Sequence, residues 1–103
     1  MENLQTGHSL RIGVLGGGQL GLMMIQAAGD LDLRVEVMDP SKKAPCAKFT
    51  HRFITGDLND AEAVYQFGKE LDIVTIEIEH VSVEGLRRLE QSGVKVIPKP
   101  EHI

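Results

Sequence analysis

The chain has 103 residues, a formal net charge of −4 and 42% hydrophobic residues, which are ordinary values for one globular domain. The negative charge argues against a nucleic-acid binder, and the single cysteine, Cys46, excludes an internal disulfide. No apolar run approaches the ~20 residues that cross a membrane. Because residues 1–9 are polar, we expect a disordered leader followed by one domain over residues 10–100.

Strand and helix patterns alternate along the chain. Five short strands are predicted over residues 10–15, 33–38, 49–55, 72–78 and 94–97. Three helices are predicted over residues 19–31, 60–70 and 83–91. Asn59, with Glu62 as its capping-box partner, is predicted to cap the second helix, and Ser82 the third. This order predicts an α/β fold, a Rossmann-like three-layer domain with a parallel five-stranded sheet.

The stretch RIGVLGGGQLG, residues 11–21, predicts a strand, a tight glycine turn and the start of a helix. Glycines there permit positive φ angles and a close approach of the backbone to a ligand. The start of a helix offers unpaired N–H groups and a positive dipole end, which suit a phosphate. Gly16, Gly18 and Gly21 also match the G-x-G-x-x-G pattern of dinucleotide-binding domains.

Polar residues follow the other predicted strands. Ligands of such sheets bind outside the carboxyl ends of the strands, where this chain places Asp39, Gly56 with Asp57, and Glu77 with Glu79. A buried carboxylate without a partner would be costly, so we expect the two glutamates at the rim of the sheet. Glycine amides and carboxylates together suit a ligand that carries phosphate and also hydroxyl or amino groups.

Two residues near this rim allow a structural and a functional interpretation. Asp39 stands 23 positions after Gly16, where a dehydrogenase places its ribose-binding acid, but it can equally form an Asx turn before Ser41. Gln19 opens the predicted first helix, although Ser or Asp would start a helix better, which favours a ligand contact. No metal-ligand spacing, P-loop or nucleophile–base pair is present in the sequence. We therefore predict a binding site with no catalytic residue and no metal site.

Three ordered segments resemble one enzyme family, and together they span about residues 10–100. They are GVLGGGQLG at residues 13–21, MDPSKKAPCAKFTHRFITGDLNDAEAV at residues 38–64 and TIEIEHV at residues 75–81. The segments resemble the ATP-dependent 5-(carboxyamino)imidazole ribonucleotide synthases of de novo purine synthesis. The resemblance implies that the chain is the first of three domains, the pre-ATP-grasp domain, and that the ATP-grasp domains are absent from it.

The same resemblance implies the function and the site. In the family, the full-length ligase carboxylates aminoimidazole ribonucleotide with ATP and bicarbonate, and the missing domains hold ATP and magnesium. The fragment alone would then be inactive and bind no cofactor, and the full-length enzyme would be a cytoplasmic homodimer. Carried over from the related formate-dependent glycinamide ribonucleotide transformylases, the substrate contacts fall on Gln19, Leu20 and Glu77, with Gly18 as a backbone contact and Glu79 as an addition.

Three alternatives stay open at this point, one of which is a pseudo-domain kept for oligomerisation. The segment EIE at residues 77–79 has the form found in the transformylases, whereas Gln19 is typical of the carboxylating enzymes. A stand-alone NAD-binding regulatory module would also explain the glycine pattern followed by Asp39.

Overall fold

The computed structural model describes residues 10–18, 23, 26, 33–48, 50, 52–78, 80–98 and 100. Its strands are β1 (Leu10–Leu15), β2 (Leu33–Asp39), β3 (Arg52–Thr55), β4 (Ile73–Ile76) and β5 (Lys95–Ile97). Its helices are α1 (Ala61–Gly68) and α2 (Val83–Gln91), and a 3-10 turn covers Pro45–Lys48. The predicted leader lies outside the described residues, and so does most of the predicted first helix. Within that predicted helix the structure describes Met23 and Gln26, and both are helical.

All five strands are parallel and lie in the order β3-β2-β1-β4-β5, which confirms the predicted α/β fold. The first strand is therefore central, and the strand order reverses between β1 and β4. Leu15 at the end of β1 is level with Met38 on one side and Ile76 on the other. The carboxyl ends of the three central strands thus meet at the switch point, where ligands of such sheets bind.

Both faces of the sheet carry buried apolar side chains because neighbouring residues of a strand point to opposite faces. On one face Leu15, Met38 and Val74 belong to the same core cluster as residues from α1 and α2: Val64, Phe67, Leu86 and Leu89. On the other face Val14, Val35 and Val37 form a second buried cluster. Burial of each such side chain stabilises the fold by about 1.5–3 kcal/mol. The strands that carry the rim loops are therefore packed on both faces.

Among the residues that the structure describes, Glu36 in the middle of β2 is charged and completely buried. Its Oε2 accepts hydrogen bonds from Arg11 Nε at 2.9 Å and Arg34 Nε at 3.3 Å. Arg52 Nε lies 2.8 Å from Oε1 without directing its N–H at that oxygen, so this contact is electrostatic. Burial by itself would raise the pKa of Glu36, but the Arg11 hydrogen bond and the Arg52 charge outweigh it and hold the pKa below the ordinary 4.5.

The predicted cap of α1 is wrong by one residue. Asp60 is the N-cap, because its backbone is extended and its Oδ1 accepts from the amides of Glu62 at 3.0 Å and Ala63 at 3.3 Å. Asn59 instead donates its backbone N–H to Asp57 Oδ1, so it belongs to the preceding turn. Glu62 does not close a capping box, because its carboxylate accepts hydrogen bonds from the side chains of Gln66 and Arg88. Ser82 caps α2 as predicted.

Three strands are shorter than predicted. β3 begins at Arg52 because Thr50 Oγ1 donates to Val35 O and accepts from Arg52 N, which bends the chain just before the strand. β4 ends at Ile76 because its neighbour β1 stops at Leu15, where Gly16 turns away with φ +112°. β5 begins one residue later than predicted, at Lys95.

Candidate functional site

The loop that follows β1, residues 16–18, lies at the switch point and is here called the glycine loop. Gly16 has φ +112°, a conformation that side-chain-bearing residues rarely adopt, and its N–H donates to Met38 O at 2.8 Å. A Cβ on Gly16 would also lie 2.9 Å from Ile78 Cγ2. Glycine is therefore required at the first position of the loop for both conformation and space.

Glu77 contacts the glycine loop from the β4 side. Its backbone N–H donates to Leu15 O at 2.9 Å, which extends the ladder between β1 and β4 by one bond. Its side chain is half-buried, and Oε2 accepts a hydrogen bond from Gly18 N–H at 2.9 Å. A Cβ on Gly18 would lie 2.9 Å from each carboxylate oxygen, so a residue with a side chain would push Glu77 away. Glu77 lies at the rim, as predicted.

Asp39 contacts the glycine loop from the β2 side. Its Oδ2 accepts from Gly17 N–H at 2.7 Å, and its Oδ1 accepts from Ser41 N–H at 2.8 Å. The second bond confirms the Asx turn that the sequence allowed. Because both carboxylate oxygens already accept backbone N–H groups, a ribose hydroxyl could donate only to the remaining lone pairs of these oxygens.

The amides of the glycine loop thus point to oxygens of the protein itself. Gly16 donates to a carbonyl, while Gly17 and Gly18 donate to Asp39 and Glu77. A ligand phosphate could take the Gly17 or Gly18 amide only by displacing a carboxylate. Each carboxylate oxygen has further lone pairs, so Glu77 can accept hydrogen bonds from hydroxyl or amino groups. The described part of the site favours the donor groups of a ligand over its phosphate.

The structure brings two of the five predicted site residues together, Gly18 and Glu77. Gln19, Leu20 and Glu79 lie outside the described residues. The sequence did not predict the hydrogen bond between Gly17 and Asp39, which are 22 positions apart. The only sequence signal for this contact was a carboxylate at the end of a strand. Asp57, which follows the end of β3, is exposed in a turn of its own with Asn59.

Other features of the described residues add no second chemical site. A groove of about 310 Å³ between β3 and α1 is lined mainly by apolar side chains, including Met38, Ile54 and Phe67. Gly56 also lines it, but neither of the two predicted substrate contacts that the structure describes does so. Within the described ranges, no three His, Cys, Asp or Glu side chains are grouped so that they could hold a metal ion. The described helices include none with the length and apolar character that a membrane crossing needs.

The sequence and the fold match known proteins over most of the chain. Residues 10–103 match the family model of the ribonucleotide synthetase preATP-grasp domain. N5-carboxyaminoimidazole ribonucleotide synthase of Staphylococcus haemolyticus is 44% identical over 80 residues, which are 78% of this chain and 21% of that protein. The chain therefore spans about a fifth of the length of this relative.

Solved structures show the same fold. The N5-carboxyaminoimidazole ribonucleotide synthetase of Thermotoga maritima superposes with a TM-score of 0.84 at 33% identity, over 90% of this chain and 26% of that one. The Aspergillus clavatus N5-carboxyaminoimidazole synthase was solved with ADP and 5-aminoimidazole ribonucleotide. It superposes with a TM-score of 0.79 at 39% identity, over 90% of this chain and 25% of that one. A Mycobacterium tuberculosis glycinamide transformylase superposes with a TM-score of 0.79 at 24% identity, over 87% of this chain and 26% of that one. This likeness shows the fold alone.

Proposed function

Because the chain belongs to the family of ribonucleotide synthetase preATP-grasp domains, we propose that it is the substrate-binding first domain of an ATP-dependent carbon–nitrogen ligase. The reaction we propose for the full-length enzyme is carboxylation of aminoimidazole ribonucleotide with bicarbonate in purine biosynthesis. The observation that carries the proposal is the Gly18–Glu77 hydrogen bond at the switch point, in a fold shared with a relative solved with that nucleotide.

Glu77 is proposed to accept hydrogen bonds from the ribose hydroxyls or the amino group of the nucleotide. Its half-buried position strengthens such bonds relative to those made in water. Holding the amine in one orientation supplies much of the rate gain in a transfer between two substrates. Gly18 is proposed as a backbone contact, and Gln19, Leu20 and Glu79 remain predicted contacts.

The remaining parts of the enzyme are proposed from the relatives. Solved structures of the family were obtained with ADP or ATP, which supports the use of ATP. We place ATP and magnesium on parts of the full-length enzyme that correspond to the remaining length of the relatives, and we propose that this chain alone binds neither and is inactive. A cytoplasmic homodimer, with no nucleic-acid or membrane partner, is proposed for the full-length enzyme.

A titration of the isotopically labelled chain, followed by NMR, tests the proposed substrate. Aminoimidazole ribonucleotide is added to one sample and glycinamide ribonucleotide to another. We expect aminoimidazole ribonucleotide to shift the amide signals of Gly18 and Glu77. We expect Glu77→Gln to weaken the binding of this nucleotide about tenfold, because one charged hydrogen bond is lost. Glu84→Gln, at an exposed position of α2, is the matched control and should leave the affinity unchanged.

The outcome separates the candidate functions. Shifts with glycinamide ribonucleotide alone would favour a transformylase domain, for which the EIE segment is the motivating feature. NADH binding that is lost in Asp39→Ala would favour the regulatory module, although both oxygens of Asp39 already accept backbone amides. If neither nucleotide shifts Gly18 and Glu77, the proposed substrate site is wrong.

A further inference from the structure

We propose that Asp39 is a positioning residue of this site, which fastens the glycine loop to residues 40–48 and thereby holds Glu77 in its binding geometry. The inference rests on the proposed function, because it concerns the same ligand site. It gives Asp39 a role that needs no contact with the ligand.

Asp39 joins three loops that follow neighbouring strands. Its Oδ2 accepts from Gly17 N–H after β1, and its Oδ1 accepts from Ser41 N–H after β2 itself. Its backbone carbonyl accepts from Gly56 N–H after β3 at 3.1 Å. One residue therefore links the chain segments at the carboxyl ends of β1, β2 and β3.

Packing reinforces the link between the glycine loop and residues 40–48. A Cβ on Gly17 would lie 2.9 Å from Ala44 Cβ and 3.4 Å from Asp39 Cβ, so this segment is in direct contact with the loop. Ala44 is held in turn by its N–H bond to Ser41 O at 3.3 Å. The loop and the segment beside it thus form one packed unit with Asp39 at their junction.

The link reaches Glu77 through a single residue, Gly17. The Gly17 N–H that bonds Asp39 and the Gly18 N–H that bonds Glu77 belong to successive peptide planes, which meet at Gly17 Cα. When the Asp39 bond is lost, the φ and ψ angles of Gly17 are less restricted, so the Gly18 N–H can turn away from the Glu77 carboxylate. Loss of the short, charged Asp39–Gly17 hydrogen bond should therefore weaken the Gly18–Glu77 hydrogen bond.

Asp39→Asn tests this coupling with little change of volume. An asparagine has one acceptor oxygen and a donor NH₂ group, so it cannot accept both the Gly17 and the Ser41 N–H with separate oxygens. Asp57→Asn is the matched control, because Asp57 forms the same kind of turn at the end of β3, with Asn59 N–H on Oδ1 at 2.9 Å.

The first measurement is amide hydrogen exchange in the ligand-free chain. We expect Asp39→Asn to speed exchange at Gly18 by about tenfold or more, the effect of losing ~1.4 kcal/mol of local protection, while Val74 and Val96 in the sheet keep their rates. Asp57→Asn should leave Gly18 unchanged. An unchanged Gly18 rate in Asp39→Asn, or a uniform rise over the whole sheet, would overturn the inference.

The second measurement is the Kd for aminoimidazole ribonucleotide. We expect Asp39→Asn to weaken binding about tenfold, and Glu84→Gln, at an exposed position of α2, to leave it within about twofold. If Glu77→Gln weakens binding and Asp39→Asn does not, the proposed function stands and the inference about Asp39 is wrong. If the unmodified chain binds no nucleotide, the proposed function fails, and the exchange rates still report whether Asp39 holds the loop.

Discussion

The carboxylate of Glu77 accepts a hydrogen bond from the backbone N–H of Gly18, a residue 59 positions earlier in the chain, at 2.9 Å. This bond crosses the switch point of the sheet and joins the ends of β1 and β4. It also makes the glycine loop a support for a carboxylate, whereas such loops commonly present their amides to phosphate.

Gly18→Ala is expected to weaken binding of aminoimidazole ribonucleotide with little loss of stability. The new methyl group would lie 2.9 Å from both carboxylate oxygens of Glu77, and the end of that side chain can swing aside. Binding is measured by calorimetric titration and stability by urea unfolding. A large fall in stability would show that the Glu77 carboxylate has nowhere to move.

Gly16→Ala is expected to destabilise the fold by about 1–3 kcal/mol, through a strained positive φ and contact with Ile78. Gly93→Ala is the matched control, because Gly93 also has a positive φ, +104°, but nothing lies within 4 Å of its Cβ position. Comparing the two urea midpoints separates crowding from backbone strain. Equal losses would mean that crowding by Ile78 contributes nothing.

Glu36→Gln is expected to lower the free energy of unfolding at pH 7 by about 1–3 kcal/mol, since the amide loses the charge-assisted bonds to Arg11 and Arg34. The folded-state pKa of Glu36 lies below its ordinary 4.5, so the unfolded chain takes up the proton first as the pH falls. The stabilisation is therefore complete above about pH 5 and lost as the pH falls through the folded-state pKa.

Urea unfolding of both proteins between pH 7 and pH 3 measures this difference. The gap between unmodified chain and variant should close toward low pH. Glu62→Gln, an exposed partner of Arg88, is the control and should change the midpoint far less. A gap that stays constant with pH would show that the Glu36 charge does not contribute.

Asp60→Ala is expected to cost about 1 kcal/mol of stability, because it removes the acceptor for two amides at the start of α1. Asn59→Ala should cost clearly less, since its contact with the turn is made by the backbone. Thermal unfolding of the two variants distinguishes the cap found in the structure from the one predicted from the sequence. A larger loss for Asn59→Ala would contradict the cap geometry.

Local patterns in the sequence determined the elements and their type. The alternation of apolar runs and capped helical stretches predicted five strands and a parallel sheet, and Ser82 marked the start of α2. They also placed Glu77 at the rim, because a carboxylate at a strand end needs solvent or a partner. Element ends were less predictable. Asn59 and Asp60 are both good caps, and only the turn made by Asp57 determines which of them serves.

Tertiary structure alone decided how the site is assembled. The sequence showed glycines, Asp39 and Glu77 at three strand ends, but not that Asp39 would bind Gly17 and Glu77 would bind Gly18. Likewise, the sequence analysis did not predict that Arg11, Arg34 and Arg52 surround Glu36, because the register of β1, β2 and β3 brings them there. The physical reason is common to both cases: hydrogen bonds between distant residues depend on strand order and register, which local sequence periodicity does not specify.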